Sequence, residues 1–195
     1  MRTLIVTTIV SLDGYSAGPG GDVMAMPMDH AFDDYNVERL RAADTLLLGA
    51  RTYMGFKSFW PGRADAPDGR GNERETSRLN DAIGKVVVSD SLIEADTDPW
   101  TGTTEIVRRA AAHERIAELK GGDARDILMF GSGTLWNDLL GAGLVDELHL
   151  MVGAVVLGGG TPASGDDSVA ATLELLDTRT FEGSDNLLVR YAVRR

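Results

Sequence analysis

The chain has 195 residues, 43% of them apolar, and a formal net charge of −11. That is enough for one domain with a sizeable core, spanning 1–195, and the acidic balance, with no basic stripe to override it, repels nucleic-acid phosphates. No cysteine is present, which excludes disulfides, zinc–thiolate centres and thiol nucleophiles.

The apolar residues come in bursts too short to cross a bilayer, and a strand-like run starts almost at once with no leader before it. A cytoplasmic protein with neither membrane nor nucleic acid as partner is therefore expected. His30, His113 and His149 are far apart and lack ligand spacing, so no metal site is expected.

In chain order, "TLIVTTIV" (3–10) is a β-branched run that empties into "SLDGYSAGPGGD", whose glycines predict a long flexible loop. In "DHAFDDYNVERLRAAD", Phe32, Asn36, Arg39, Leu40 and Ala43 fall at helical spacing behind a capping Asp29. "TLLLGART" is a second buried-type strand leading into a helix, "TYMGFKSF". The polar stretch "WPGRADAPDGRGNERET" predicts a surface loop before a short helix from Ser77 to Ile83. "KVVVSDS" and "TEIVRR" are strands, and "AHERIAELKGG" is an amphipathic helix whose final glycine suits a left-handed cap. "DILMF" is a strand, "GTLWNDLLGAG" a helix and "VDELHLMVGAVVLGGG" a strand with an irregular exit. The tail, "ATLELLDTRTF" and "NLLVRYAVR" around 182–185, alternates like an antiparallel hairpin at a sheet edge. Strands alternating with helices and closing on a hairpin predict a three-layer α/β/α fold with a mostly parallel sheet.

Ligands of such sheets collect outside the carboxyl ends of parallel strands, where helix N-termini expose unpaired amides. Gly49, Ser89 and the Gly131 to Gly133 turn each end a strand, and two of the three lead into a helix. Bare backbone there lets a phosphate approach closely, and the helix dipole adds about 0.3 to 1 kcal/mol towards holding an anion. The same glycines also suit a tight strand-to-helix turn, and "GSGTLW" lacks the last glycine of the dinucleotide fingerprint.

"SLDGYSAG", "LLLGARTY", "VVVSDS", "LMFGSGTLWNDLLGAGLVDEL" and "VVLGGGTP", in this order, resemble the dihydrofolate reductase superfamily, in the branch related to the reductase domain of bacterial riboflavin biosynthesis. The resemblance covers nearly the whole chain. It implies a reductase that uses NADPH, with NADH not excluded, to deliver hydride to a small planar heterocycle. It also implies that Gly131, Ser132, Gly133, Thr134 and Leu135 cradle the pyrophosphate, and that Ile9 and Val10 lie against the nicotinamide under a lid formed by the 13–21 loop. Gly49, Arg51, Thr52 and Ser89 would complete the cofactor site. Relatives of this branch often pair, so a homodimer is expected, with "LHLMVGAVVL" as its interface.

This chain departs from its relatives in places. They commonly carry Arg or Ser after the third-strand serine to meet the 2′-phosphate; here Asp90 argues for NADH while Arg51 argues for NADPH. The riboflavin-pathway reductase has a glutamate where Phe130 stands and a lysine near Thr7. Losing such a partner costs a polar substrate about 1.5 to 3 kcal/mol, enough to change its identity. Folate reductases use a helix-borne carboxylate, and counting back from Gly49 puts Asp33 there. Asp33 shares a helical face with Val37 and Leu40, whereas Asp34 lines up with Glu38 and Arg41, so Asp33 should point inward and relay a proton. An exposed first-turn acid that favours the helix dipole is the alternative. Arg63 falls where folate reductases clamp a glutamyl carboxylate, and Met151 replaces their pterin-contacting threonine. Trp60 and Phe130 would wall a flat apolar pocket. Dihydrofolate reduction, or nucleotide binding without turnover, remain as alternative functions. "VLGGGTPASGDD" reads either as an anion cradle or as a plain connection, and "RRAAAHER" as a solvated basic patch.

Overall fold

A computed structural model describes residues 1–67, 71–131, 133–165 and 169–194. In chain order its strands are β1 (Leu4–Ser11), β2 (Tyr15–Ala17), β3 (Ala43–Gly49), β4 (Gly84–Val88), β5 (Thr104–Val107), β6 (Asp126–Phe130), β7 (Glu147–Gly153), β8 (Thr161–Pro162), β9 (Thr172–Thr180) and β10 (Leu187–Arg194). Eight form one sheet in the order β5-β4-β3-β6-β1-β7-β10-β9, while β2 and β8 pair separately. Neighbours from β5 to β7 run parallel, and β7, β10 and β9 run antiparallel, as the alternating tail predicts.

The helices are α1 (His30–Ala42), α2 (Ala50–Phe59), α3 (Gly71–Ala82), α4 (Arg109–Gly121) and α5 (Gly133–Gly141). They cover both faces because alternate residues of each strand point opposite ways. Leu4 and Val6 pack with Met129 against Ile116 of α4 and Leu139 of α5. Ile5 and Leu128 pack against Leu40 of α1 and Tyr53 of α2. Strands buried on both faces must read as continuous apolar runs, which is why "TLIVTTIV" and "DILMF" lack alternation. Asp29 caps α1 as predicted, accepting from the amides of Ala31 at 3.0 Å and Phe32 at 3.4 Å.

Several boundaries differ from the expectation. α3 starts at Gly71 rather than near Ser77, because its polar first half is held by charge: Glu75 pairs with Arg41 of α1 at 2.6 Å, and Glu73 with Arg63 at 2.7 Å. Ala43, at helical spacing, begins β3 instead, so α1 enters the strand with no intervening loop. Gly122 after α4 is extended, with φ −71°, rather than left-handed. Its lack of a side chain matters for space, since a Cβ there would stand 3.3 Å from the Leu119 carbonyl oxygen.

Candidate functional site

The chain runs outward from β1 through β3, β4 and β5, then returns to insert β6 between β3 and β1. That reversal is a topological switch point, and α/β sheets bind ligands outside the carboxyl ends of the strands at such a point. The registers Gly49 with Val88, Leu47 with Met129 and Thr7 with Phe130 set Gly49, Ser89 and Gly131 along this one edge. Three of the turns expected to bind cofactor are thus brought together.

Gly131 takes φ +51°, and neither it nor Gly133 has any atom within 4 Å of where a Cβ would sit. The bare turn therefore opens onto free space, with the N-terminus of α5 behind it. The Gly131 amide donates to the Thr7 carbonyl at 3.2 Å, which locks the turn to β1. Thr134 is exposed and Leu135 half-buried, packed on the core beneath; Ser132 lies outside the described residues. At the next turn, α2 has Gly49 as its N-cap, a residue with no side chain to satisfy the helix amides. Arg51 is exposed there and Thr52 half-buried. Amides at two helix starts plus an exposed guanidinium are a donor set that fits a pyrophosphate-bearing nucleotide. Ser89 is differently employed: its hydroxyl accepts from the amides of Ser91 at 3.2 Å and Leu92 at 3.0 Å, so it shapes the turn.

Ile9 and Val10 are both buried, and as strand neighbours they face opposite sides of the sheet. Ile9 lies on the α1 side, packed with Met26, Tyr35 and Met151, and Val10 faces the other side of the sheet. Asp33 is half-buried in the first turn of α1, while Asp34 is exposed and accepts from Asn72 of α3. Asp33 is less exposed than Asp34, the order the helical-face argument predicts.

Phe130 is connected to Trp60 through a residue the sequence reading missed: Phe56 lies 5.8 Å from the Phe130 ring centroid and 6.3 Å from that of Trp60. Trp60 is half-buried. Arg63 stacks 5.2 Å from the Phe59 ring centroid and is paired with Glu73. Phe56 sits one helical turn before Trp60, and that i, i+4 spacing was a signal available in the sequence.

The expected mobile lid is strapped down. Both carboxylate oxygens of Asp13 accept backbone amides, from Leu157 at 3.0 Å and Gly158 at 2.7 Å. Hydrogen bonds from Ser11 and these amides hold its pKa down at about 2. Gly160, at φ +140°, presses so closely on the lid that a Cβ would stand 2.1 Å from the Ala17 carbonyl oxygen. The "VLGGGTP" stretch is therefore the partner of the lid, which pairs with it as β2 with β8.

Beneath α1, buried Tyr35 and His149 form a chain with half-buried Glu147 that no local pattern revealed. The Tyr35 hydroxyl donates to His149 Nδ1 at 2.7 Å, and His149 Nε2 donates to Glu147 at 2.7 Å. Burial pushes the phenol up to about 12, opposed by Arg39 and Arg190. Burial also pushes His149 below its ordinary value, against the pull of Glu147. Both groups are therefore neutral at pH 7. Among the described residues no helix is long and apolar enough to cross a membrane.

An α/β/α sheet of this order, with bare turns along its carboxyl edge, defines a dihydrofolate-reductase-like fold. The solved structures agree. A putative riboflavin biosynthesis protein from Shewanella sp. PV-4 superposes with a TM-score of 0.72 at 22% identity, covering 100% of both chains. Dihydrofolate reductase from Enterococcus faecalis superposes with a TM-score of 0.56 at 14% identity, over 99% of this chain and 97% of that one. Within this fold, residues 2–187 match the RibD C-terminal domain, and the chain belongs to that family of reductases. It is 31% identical to the uncharacterized protein YyaP of Bacillus subtilis over 182 residues, 92% of this chain and 89% of that one.

Proposed function

We propose that the chain is a cytoplasmic NADPH-dependent reductase acting on a small planar heterocycle, as in riboflavin biosynthesis. The observation that carries this reading is the alignment of the Gly49 and Gly131 turns on the carboxyl edge, beside the Phe130, Phe56 and Trp60 wall. The turns hold the pyrophosphate through main-chain amides, with Arg51 at the adenosine end and Ile9 beside the nicotinamide. Bound NADPH supplies a hydride. The aromatic wall orients a flat ring and excludes water. Asp33 gives a proton from its carboxyl to a ring nitrogen, so that hydride and proton together reduce one C=N bond. The 13–21 loop, fixed by Asp13 and Gly160, serves as a static cover that keeps water from the reaction. Phe130 offers no charge to the substrate, which favours a heterocycle less polar than the phosphoribosylamino-uracil of the pathway enzyme.

Pairing of two copies is part of this proposal, and it would use a face of β7 rather than its edge. β7 is interior, hydrogen-bonded to β1 and β10 on its two sides, so its edge is unavailable. Its outer face is open: half-buried Leu150 and Val152 share that face with exposed Leu175 and Leu187.

The test is NADPH oxidation followed at 340 nm with pyrimidine, pteridine and flavin-precursor substrates. The reading requires turnover with at least one, a loss of about 100-fold or more in kcat for Asp33→Asn, and weaker NADPH binding for Arg51→Ala. Nucleotide binding with no turnover on any substrate would leave a binding protein instead.

A further inference from the structure

The row of rings that starts at Phe130 does not end at Trp60. Phe59 lies 4.8 Å from the Trp60 ring centroid, and the Arg63 guanidinium carbon stands 5.2 Å from that of Phe59. From buried Phe130, through half-buried Phe56 and Trp60, to exposed Phe59, the row runs from the core towards solvent and finishes on a cation. A guanidinium at the end of a flat apolar wall is what an anionic substituent on a planar ligand would meet. Here it already holds an anion of the chain's own: Arg63 Nη2 donates to Glu73 Oε2 at 2.7 Å, and each of the two side chains is only 26% exposed.

The rest of α3 keeps Glu73 in place. Asn72 donates to Asp34 of α1, and the Glu75 carboxylate accepts two Arg41 nitrogens at 2.6 and 2.7 Å. Buried Ser77 donates to the Trp60 carbonyl at 2.7 Å and accepts the Ala64 amide at 3.1 Å. Residues 72 to 77 therefore join α1, which carries Asp33, to the segment after α2, which carries Arg63. The Glu73 carboxylate needs no further ordering to meet the guanidinium. A ligand anion at the same place must displace it or share the cation with it, and either leaves a half-buried carboxylate beside a like charge.

Resting on the reductase reading above, we infer that Glu73 is a specificity-determining residue: it occupies Arg63 at the outer end of the aromatic row, so the site takes a planar heterocycle whose substituent there is uncharged and turns away one that carries an anion. The selectivity is a property of the pair. Without Glu73, the same row ends on a half-buried cation and favours the anionic ligand.

The experiment is titration calorimetry, in the presence of NADPH, with pairs of flat ligands that differ in one charge: orotamide with orotate, pterin-6-carboxamide with pterin-6-carboxylate, and pteroamide with pteroate, whose charge lies one ring further out. The proteins are wild type, Glu73→Gln and the double variant Glu73→Gln/Arg63→Met, each checked for folding by a thermal melt. Wild type is expected to bind the amide of a pair at least as tightly as the carboxylate. Glu73→Gln, which keeps the shape of the side chain, is expected to shift preference towards the carboxylate by about tenfold in at least one pair at low salt, a gain that shrinks as salt is added. The double variant loses the gain, which assigns it to the Arg63 guanidinium. A wild-type preference for the carboxylates, an unchanged preference in Glu73→Gln across every pair, or a gain that survives in the double variant overturns the inference. If none of these ligands binds any of the proteins, the planar-heterocycle reading itself falls and the inference with it, an outcome distinct from the others.

Discussion

The hydroxyl of Tyr35 on α1 donates to Nδ1 of His149 on β7 at 2.7 Å, with both side chains buried and Glu147 accepting from the far ring nitrogen. This bond fastens the helix that carries Asp33 to the centre of the sheet. Tyr35→Phe leaves a buried imidazole nitrogen without its donor, which costs about 1 to 3 kcal/mol. Urea unfolding of the variant measures this, and an unchanged midpoint would show the bond to be energetically idle.

The depressed pKa of His149 makes stability depend on pH near neutrality. Between the ordinary imidazole value of about 6.5 and its lower native value, the unfolded chain binds a proton that the folded chain does not. Stability therefore falls as pH drops below about 6.5. Asp29 and Glu38, also depressed, lose their contributions only at more acid pH, below about 4.5. The decline between pH 7 and 5.5 should shrink in His149→Gln; an identical decline in that variant would assign the effect elsewhere.

Lys85 predicts a second, opposite-ended window. It is buried on β4, donating to the Ile83 carbonyl at 2.8 Å and standing 4.4 Å from the Trp100 ring centroid. Burial, opposed by Asp81, pushes its pKa down to about 8. Between there and the ordinary value the unfolded chain holds the extra proton, so this residue makes stability rise with pH from about 8 to 10. Above 10 the raised Tyr35 acts in the other direction. Lys85→Met should flatten the rise, as read from denaturant midpoints across that range; a slope equal to that of the wild type would contradict the assignment.

The lid strap depends on Gly160. Ala there must occupy a left-handed backbone and displace the Ala17 carbonyl, so Gly160→Ala should detach β2 from β8. Limited proteolysis is expected to cut the variant between residues 12 and 25 while the sheet stays folded. Asp13→Asn, which keeps the side chain's shape and weakens its charge-assisted bonds, should do so to a smaller degree. Equal protease resistance in both variants and wild type would mean that the strap is not held by these contacts.

The strands and the helices of the sheet were legible because periodicity reports burial directly. The strand-end glycines were legible too, since their meaning is local: a turn, then a helix. What escaped was carried by pairs distant in sequence. The first half of α3 reads as loop because Glu73 and Glu75 find their partners on Arg63 and Arg41, and no apolar stripe marks it. Tyr35 and His149 are 114 residues apart, and Asp13 is 145 from Gly158. In each case a polar residue had a meaning that only the fold supplied.

Hydrogen–deuterium exchange with and without NADPH tests the central claim most directly, because it reports on the main-chain amides that the account assigns to the cofactor. Slower exchange on adding NADPH is predicted at Gly49 to Tyr53 and at Phe130 to Leu135, with the amino-end strand tips unaffected. Unchanged exchange at both turns under saturating nucleotide, or protection confined to the opposite end of the sheet, would contradict it.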